Sequence, residues 1–303
     1  AAGIHVVTPN KQAGAGPMDR YAAIREAAAA SGARFRYEAT VGAGLPVITT
    51  LRDLVDTGDA VTSIEGIFSG TLAWLFNKYD GSVPFSELVT QARGMGYTEP
   101  DPRDDLSGVD VARKLVILAR EAGRELSLDE VQIESLVPEP LRGLEPDVFL
   151  RRIVELDAPM RQRLDAARAR GRSLRYLATL DADGNAHVGL AMPDPDHASL
   201  HSRLTDNLIQ FRTRRYADNP LVVQGPGAGA EVTVLTLDRL AGPRRKIGEA
   251  RTRGRSVASA PAGQPESPRG HRSCRPISPP TSTTPPTAPP RRSPPTARCS
   301  VSS

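Results

Sequence analysis

The sequence predicts an α/β protein in which a mixed β-sheet is covered by helices, followed by a long disordered tail. Apolar residues recur at helical spacing in several segments, of which Met18–Ser31 and the stretch after Val111 are the clearest. Short β-branched runs, bounded by glycine and proline turns, alternate with these helices. From Arg244 onwards the composition shifts to Arg, Pro, Ser, Thr and Ala and contains no aromatic residue. Such a segment cannot bury enough apolar surface to offset the entropy of ordering the chain.

The N-terminal elements follow from three short patterns. Residues 4–7 form a β-branched run that we expect to be a buried strand, with His5 packed inside it. The Ala-rich segment Met18–Ser31 predicts a helix that ends at Gly32, because glycine is typical just beyond a helix C-terminus. Residues 34–41 place aromatic and aliphatic side chains at every second position, which predicts a second strand.

The central elements begin with a glycine-rich turn at residues 42–46, which leads into a predicted helix that continues through Val55. Residues 60–68 are rich in β-forming residues and predict a strand. We expect Thr71 to cap the helix that follows it. Another helix starts near Ser86 and leads the chain into an acidic loop.

The last structured part combines a charged helical region with a hairpin. Residues 147–171 are helical in pattern and expose a charged face. Residues 174–178 and 186–191 flank the turn sequence DADGN, which predicts a β-hairpin. The strands expected to pair with it are residues 208–216 and 221–223.

Length, charge and cysteine usage restrict the class of protein. With 303 residues the chain is long enough for two domains. From Arg244 to the C-terminus there are twelve Arg or Lys and two acidic residues, a charge of +10, so the preceding part carries −6 of the formal total of +4. Both Cys274 and Cys299 lie in the tail, so no disulfide framework holds the fold, which suits a reducing cytoplasm. No apolar run approaches the roughly 20 residues that cross a bilayer, and no secretory signal is recognisable, so we expect a cytoplasmic protein without a membrane partner.

The most informative stretch is residues 96–114, which reads GYTEPDPRDDLSGVDVARK. Ser107 is expected to cap a helix, with Asp110 at the capping-box position, and the apolar spacing after Val111 indicates one buried face. Asp110 and Lys114 are four residues apart and therefore share a helix face. The stretch brings together many charged side chains: Glu99, Asp101, Asp104, Asp105 and Asp110 with Arg103, Arg113 and Lys114.

The pair formed by Asp110 and Lys114 has two interpretations. A surface ion pair at this spacing is common and contributes only about 0.3–0.5 kcal/mol. A carboxylate and an ammonium beside each other at the start of a helix can also form a proton-transfer site. The preceding loop favours the second interpretation, because it is stiffened by Pro100 and Pro102 and is richer in acids than a solvated turn requires.

This stretch closely resembles that of homoserine dehydrogenases, most like the dehydrogenase half of the bifunctional aspartokinase/homoserine dehydrogenases. The resemblance extends from about Gly3 to about Thr233. It implies a remnant of an NAD(P)-binding Rossmann-type domain at residues 1–34 and a catalytic, substrate-binding and dimerisation domain at residues 35–233. Residues 234–303 form the low-complexity disordered tail.

The resemblance also implies an activity and its residues. Homoserine dehydrogenases reversibly reduce aspartate 4-semialdehyde to homoserine with NADH or NADPH, in the biosynthesis of threonine, methionine and isoleucine. Lys114 matches the lysine proposed as proton donor, and Asp110 holds or tunes it. Glu99 matches the glutamate that binds the substrate's amino group, and a carboxylate suits an ammonium. Asp105 and Arg103 are interpreted mainly as loop-shaping ion pairs, with Asp105 a further candidate for substrate contact.

Cofactor-binding residues are carried over from the same family. The TPNK segment places Lys11 at the cofactor and the active site. In the GPGAG turn one glycine touches the cofactor, with Gly229 the first choice and Gly227 the second. The residues that would distinguish NAD from NADP are not recognisable in this sequence.

A structural monovalent cation is a further expectation from the resemblance. The EATVGAGLP segment resembles the one that binds sodium through a carboxylate and backbone carbonyls, and a hard cation prefers oxygen ligands. A turn before a helix without any ion is the alternative. The expected ligands are Glu38 and the carbonyl oxygens of Val41, Ala43 and Leu45.

The match to the family breaks directly after Thr233. The tail can be a basic disordered arm that attracts polyanions, or sequence that is not selected as protein, such as a shifted reading frame. The abrupt loss of similarity inside a motif favours the second interpretation, and nucleic-acid binding is not expected. We expect the chain to be a fragment with impaired turnover that oligomerises through its substrate domain. The alternative function is a non-catalytic binding or assembly fragment.

Overall fold

The computed structural model describes residues 3–227, and all of them belong to one compact unit, Ala1–Ile247. Their centre is a six-stranded mixed sheet packed against helices, which confirms the predicted α/β class. A separate two-stranded parallel sheet lies near the N-terminus. The residues after Gly227, including the predicted disordered tail, lie outside the described part of the chain.

The strands are short and come from distant parts of the sequence. The six-stranded sheet has the order β4-β6-β5-β3-β7-β8, in which β4 and β6 run parallel and every other neighbouring pair is antiparallel. The small sheet pairs β1 with β2. The strands are β1 (Val6–Val7), β2 (Phe35–Arg36), β3 (Val61–Ile67), β4 (Gln132–Ile133), β5 (Arg175–Leu180), β6 (Ala186–Ala191), β7 (Asp206–Thr213) and β8 (Leu221–Pro226).

Helices make up most of the remaining described residues. Short 3-10 helices occupy Glu38–Thr40, Leu128–Glu130, Ile153–Leu156 and Ala198–His201. The α-helices are α1 (Gln12–Ala15), α2 (Met18–Ser31), α3 (Val47–Asp56), α4 (Gly70–Lys78), α5 (Phe85–Gly94), α6 (Pro102–Leu106), α7 (Val109–Glu121), α8 (Glu139–Arg142), α9 (Pro146–Arg152) and α10 (Asp157–Arg168).

Helix α7 is the central helix of the core. The apolar spacing after Val111 produces the predicted buried face, on which Leu115 and Val116 are fully buried. Helix α7 packs against α1, α3 and the strands β5 and β6, so its environment is closed on several sides. Truncating a fully buried leucine such as Leu115 typically costs about 2–5 kcal/mol. Because Asp110 and Lys114 lie on this helix, the core fixes their backbone positions.

The predictions for the sheet are largely confirmed. Strands β5 and β6 form the predicted antiparallel hairpin, in register from Arg175 opposite Ala191 to Leu180 opposite Ala186. Strand β3 lies between β5 and β7, so one of the two central strands of the sheet comes from the predicted run at residues 60–68. The helix predicted over Met18–Ser31 has those bounds, and Gly32 ends it with a φ of 64°.

Two N-terminal predictions were wrong. The run at residues 4–7 pairs only through Val6–Val7 and is not buried, since Ile4 is 73% exposed. His5 is exposed as well, and its Nδ1 accepts a hydrogen bond from the Arg34 N–H. The strand predicted at residues 34–41 stops after two residues, because the chain turns into the 3-10 helix Glu38–Thr40. The first error comes from a β-branched run and the second from apolar alternation, and neither pattern shows how far the pairing with a partner strand extends.

Two predicted caps are displaced. Helix α4 is capped by Ser69, whose hydroxyl accepts a hydrogen bond from the Leu72 N–H, and not by Thr71. Gly108 with φ of 75° occupies the position before α7, and Ser107 ends the short helix α6. Helices α6 and α7 thus meet at Gly108, which has a left-handed backbone conformation that glycine adopts without a steric penalty.

The N-terminal segment is attached to α7 by two buried charged residues. Arg120 donates hydrogen bonds to main-chain carbonyls of Gly14 and Gly16, both at 2.8 Å. Glu121 accepts a hydrogen bond from the Tyr37 hydroxyl and forms an ion pair with Arg52 at 2.6 Å. Burial raises the pKa of Glu121 to about 7, although the Arg25 guanidinium of α2 acts in the opposite direction.

Gly108→Ala is expected to destabilise the fold strongly. A Cβ at this position would lie 2.1 Å from the Tyr176 hydroxyl oxygen, in addition to the left-handed backbone strain. Together these effects should lower the free energy of unfolding by about 2–4 kcal/mol in urea denaturation. Gly123→Ala is the matched control, because Gly123 has φ of 79° and no neighbour near its Cβ position. Equal losses in the two variants would show that the contact with Tyr176 is unimportant.

Glu121→Gln is expected to change how stability depends on pH. The pKa of Glu121 rises from 4.5 when unfolded to about 7 when folded, so between these values the folded state holds a proton that the unfolded state has lost. The free energy of unfolding of the unmodified chain should therefore fall, relative to that of Glu121→Gln, as pH rises from about 4.5 to 7, by at most about 1.4 kcal/mol per pH unit. Denaturation of both variants across this range measures the difference, and the exposed Glu125→Gln is the control. A constant difference would contradict the assignment.

Candidate active site

The junction between β3 and α4 connects the predicted catalytic residues. The main-chain oxygen of Phe68, at the end of β3, accepts a hydrogen bond of 2.7 Å from the Lys114 ammonium. Three residues later the Thr71 hydroxyl lies 2.8 Å from a carboxylate oxygen of Asp105. Ser69 caps α4 between these two points, so Lys114 and Asp105 both bind one short, capped segment.

Two ammonium groups share the Asp110 carboxylate. Lys114 lies 2.9 Å from one oxygen and Lys11 lies 3.1 Å from the other. Burial acts to raise the pKa of Asp110, but the charges of Lys114 and Lys11 outweigh it, so this pKa lies below its usual range. The Lys114 side chain is only 14% exposed, while Lys11 remains more accessible. Three of the predicted site residues are thus brought into direct contact.

Asp105 fastens the acidic loop to α4. Its two oxygens accept hydrogen bonds from the Thr71 hydroxyl and from the Glu99 N–H, both at 2.8 Å. The Thr71 hydroxyl also lies 2.5 Å from the carbonyl oxygen of Tyr97. Burial raises the pKa of the Asp105 carboxyl, although the hydrogen bonds from Glu99 and Thr71 act in the opposite direction. The nearby negative charges of Glu99 and Asp110 raise it further.

Glu99 is placed by its main chain and exposes its carboxylate. Asp105 holds its N–H, while the side chain is exposed and lines a cavity of about 600 Å³ together with Thr98 and Arg93. The carboxylate is therefore accessible to a ligand on the same loop that Asp105 ties to the β3–α4 junction. No hydrogen bond of this carboxylate occurs within the described residues.

Arg103 has a different role from Asp105. Its guanidinium pairs with Asp101 at 2.6 Å and donates to the main-chain oxygen of Arg142, while its plane covers the Phe149 ring. The predicted loop-shaping ion pair therefore exists between Arg103 and Asp101. Asp105 instead uses a hydroxyl and a main-chain N–H.

The candidate cation ligands lie around the start of α3. Glu38 accepts hydrogen bonds from the N–H groups of Ile48 and Thr49, at 2.6 and 2.9 Å, and so caps the helix. Ala43 has φ of 53°, a left-handed conformation uncommon for a residue with a Cβ. Within the described residues no hydrogen bond reaches the carbonyl oxygens of Val41 or Ala43.

The remaining candidate carbonyl, that of Leu45, accepts a hydrogen bond of 2.9 Å from the Val47 N–H. A carbonyl oxygen has two lone pairs, so one stays available in Leu45. The Glu38 carboxylate also accepts the Thr49 hydroxyl and is mostly engaged in capping. The segment therefore offers carbonyl oxygens more readily than its carboxylate.

Of the two predicted cofactor glycines, only Gly227 lies within the described residues. A Cβ on Gly227 would lie 2.1 Å from the side-chain amide of Asn207, so only glycine fits there. Asn207 is fully buried, and neither its amide nitrogen nor its amide oxygen has a hydrogen-bond partner among the described residues. Gly229 lies outside the described part of the chain.

Sequence reasoning missed four features of this site. The Phe68 carbonyl that binds Lys114 and the Thr71 hydroxyl that binds Asp105 are separated from their partners by tens of residues, and only tertiary structure brings them together. The contact between Lys11 and Asp110 was not predicted, although both residues were. The guanidinium of Arg120 holds the segment beside Lys11. In the sequence, Arg120 was recognisable only as one residue of the helix that follows Val111.

The chain is similar in sequence to known proteins. The family model described as "Homoserine dehydrogenase" matches residues 46–237, and that described as "Homoserine dehydrogenase, NAD binding domain" matches residues 1–38. The chain is 54% identical over 231 residues to the bifunctional aspartokinase/homoserine dehydrogenase 2 of Escherichia coli, which covers 76% of this chain and 28% of that protein. It is 49% identical over 245 residues to the homoserine dehydrogenase of Emericella nidulans, covering 77% of this chain and 67% of that protein.

A solved structure shares the fold. The crystal structure of a putative homoserine dehydrogenase from Archaeoglobus fulgidus superimposes with a TM-score of 0.61 and 27% identity, covering 78% of this chain and 65% of that chain. The chain spans about a quarter of the length of the bifunctional relatives that it matches. The family match over residues 46–237 and the similarity to the fungal enzyme show that the chain belongs to the homoserine dehydrogenase family.

Proposed function

We propose that the chain binds L-aspartate 4-semialdehyde or L-homoserine and supplies the proton in their NAD(P)-dependent interconversion. The observation that carries this proposal is the arrangement of Lys114, which is held between Asp110 and the Phe68 carbonyl. An ammonium so fixed stabilises the negative charge that develops on a carbonyl oxygen and transfers a proton to it.

Within residues 3–227, the hydrogen bonds of Lys114 leave one of its donors unused. An ammonium has three N–H groups, and two of them are used by the Asp110 carboxylate and the Phe68 oxygen. The third N–H is available for the substrate oxygen. During reduction, Lys114 gives a proton from Nζ to the new alkoxide, and in the reverse direction the neutral amine takes the proton of the homoserine hydroxyl. Asp110 and Phe68 hold the nitrogen in place during both steps.

The acidic loop recognises the other end of the substrate. The exposed Glu99 carboxylate accepts hydrogen bonds from the substrate's ammonium group, and charge-assisted bonds of this kind are stronger than neutral ones. Asp105 holds the Glu99 N–H and is hydrogen-bonded to Thr71, so it fixes the loop relative to the junction that also binds Lys114. Asp105 thus acts on substrate binding mainly through the position of Glu99.

A nicotinamide cofactor, NAD or NADP, supplies or accepts the hydride when it is bound. Two features of the described residues fit this group. Lys11 presents an accessible ammonium beside the proton-transfer pair, and Asn207, packed against Gly227, has a side-chain amide without a hydrogen-bond partner among the described residues. The match of residues 1–38 to the NAD-binding family model supports the same assignment. Lys11, Gly227 and Gly229 are the residues proposed to hold the cofactor.

A monovalent cation such as sodium is proposed at the start of α3. The carbonyls of Val41 and Ala43, which accept no hydrogen bond from the part of the chain that the structure describes, and the second lone pair of Leu45 fit the oxygen preference of such an ion. Glu38 contributes negative charge close to these carbonyls while it caps α3. The cation would stabilise the turn that leads into α3 and has no place in the proton transfer.

Association and location belong to the same proposal. We propose that two copies associate through the substrate domain, where the edge strand β8 leaves Val222 partly exposed. None of the helices in the described residues is long and apolar enough to cross a membrane, and the cytoplasm is the proposed location. Slow turnover by residues 1–303 alone is part of the same proposal.

Lys114→Ala is expected to reduce the rate of NADPH-dependent reduction of aspartate semialdehyde by at least about 100-fold, because the proton donor is removed. The rate is measured as NADPH oxidation in single-turnover experiments, which suit a slow chain. Lys78→Ala is the matched control, since Lys78 is exposed on α4 and should leave the rate unchanged. A rate retained in Lys114→Ala would rule out the assigned role, and a rate of the unmodified chain equal to that of a whole homoserine dehydrogenase would contradict the slow turnover.

Glu99→Gln is expected to weaken homoserine binding by about 10- to 100-fold, because a neutral amide replaces the partner of the substrate's ammonium. Calorimetric titration with homoserine measures this without cofactor or turnover. Glu87→Gln on the neighbouring helix α5 is the matched control, since its exposed carboxylate is only bonded to Gln91. Unchanged affinity in Glu99→Gln would show that the substrate's amino group is bound elsewhere.

A further inference from the structure

Arg120 is a buried cation that the proposed chemistry does not use. It lies in the last turn of α7, is 5% exposed and makes no ion pair within the described residues. Its Nε donates to the Leu126 oxygen at 3.0 Å, and one terminal nitrogen donates to the oxygens of Gly14 and Gly16 at 2.8 Å each. Burying a guanidinium without a counter-ion is costly, and burial lowers its pKa. Because the burial of this charge is unfavourable, we looked for a role of Arg120 in its contacts.

The partners of Arg120 show which segment it controls. Gly14 and Gly16 bracket the end of α1, and the Arg120 guanidinium also covers the ring of Tyr21 in α2. The Arg120 side chain therefore contacts both sides of the α1–α2 connection. Two of its three main-chain acceptors, Gly14 and Gly16, lie at this connection, so Arg120 contributes directly to its position on α7.

Helix α1 lies directly on α7. A Cβ on Gly14 would be 2.9 Å from the Ile117 side chain, which shows that the two backbones approach more closely than a larger residue permits. The order of contacts along the chain is the same on both helices, with Lys11 at Asp110, Gly14 at Ile117 and Gly16 at Arg120. The two helices therefore run in the same direction, and a shift of α1 along α7 would move Lys11 relative to Asp110.

Lys11 is coupled to this connection through its own main chain. Its carbonyl oxygen accepts hydrogen bonds from the N–H groups of Gly14 and Ala15, at 3.0 and 2.8 Å. Lys11 is thus the residue before α1, and its ammonium reaches Asp110 from the start of a four-residue helix that is held at its far end. A helix of one turn has little stability of its own, so its location relies on such external contacts.

We propose that Arg120 is a positioning residue of the active site, which places Lys11 against Asp110 by fixing α1 on α7. This inference rests on the proposed function in one respect, which is that the proposed function assigns the Lys11–Asp110 contact to the active site. Arg120 touches no reacting group itself. Its effect on the site is carried by the Gly14 and Gly16 carbonyls, and the consequence is that Asp110 keeps two ammonium partners rather than one.

The test measures the ionisation of Asp110 and needs no turnover. The groups that act on this carboxylate are the ammoniums of Lys11 and Lys114 and the negative charge of Asp105. Lys11→Ala should raise the titration midpoint of Asp110 by about one pH unit, because one opposite charge is lost. Arg120→Met should raise it in the same direction, and the double variant should show no more than the shift of Lys11→Ala alone. The carboxyl carbon signals are followed by 13C NMR, with Asp110→Asn used to assign the signal.

A matched control and a second variant complete the design. Arg124 also donates to main-chain oxygens, those of Val61, Thr62 and Ala182, but not to α1, so Arg124→Met should leave the Asp110 midpoint unchanged. If Arg120→Met does not fold, Gly14→Ala takes its place, because its methyl group would push α1 away from Ile117 while Arg120 stays.

Two outcomes would overturn the proposal. One is a folded Arg120→Met or Gly14→Ala variant in which Asp110 titrates as in the unmodified chain, which would mean that Arg120 only stabilises the fold. The other is a shift in Arg120→Met that adds fully to that of Lys11→Ala, which would show an effect independent of Lys11. Failure of the proposed catalysis would appear instead as activity retained in Lys114→Ala, so the two failures are distinguishable.

Discussion

The Asp110 carboxylate, shared by two ammonium groups, is the interaction on which the candidate site depends. It holds Lys114 at one oxygen and Lys11 at the other, and these lysines come from opposite ends of the described N-terminal half. If Asp110 paired with only one of these lysines, the other ammonium would lose its ion pair. Because Asp110 lies in the first turn of α7, the helix with the largest number of buried residues also carries the proposed proton donor. The packing of the core around α7 therefore also determines the geometry of the candidate site.

The acidic loop positions the exposed Glu99 carboxylate. Glu99 is not held by its side chain but by its N–H, which Asp105 accepts. Asp105 in turn is half-buried against Thr71, and this burial, helped by the negative charges of Glu99 and Asp110, raises the pKa of its carboxyl. The loop is thus anchored through a residue that faces inwards, while the residue that would meet the ligand stays free. Arg103 supports the same loop from its other side through Asp101 and the Phe149 ring.

Much of this arrangement could be predicted from sequence where it is local. The i,i+4 pair of Asp110 and Lys114 and the hairpin around DADGN follow from periodicity and turn chemistry over a few residues. The contacts of Lys11 with Asp110 and of Lys114 with Phe68 could not be predicted, because they join segments far apart in sequence and one of the partners is a main-chain oxygen. Ser107 was a reasonable cap by residue type, but the change of direction between α6 and α7 required the left-handed conformation of Gly108 instead.

The hydroxyl of Thr71 has only one hydrogen and two oxygen neighbours, the Asp105 carboxyl and the Tyr97 carbonyl. When Asp105 is ionised, the hydrogen can point to the acid. When Asp105 carries a proton, that proton can bond to the hydroxyl oxygen, and the threonine can then turn its own hydrogen to Tyr97. The link between loop and helix therefore survives a change in the charge of Asp105 by reversing its polarity. A valine of nearly the same shape would fill the space but would support neither state, which explains why an alcohol is needed at this position.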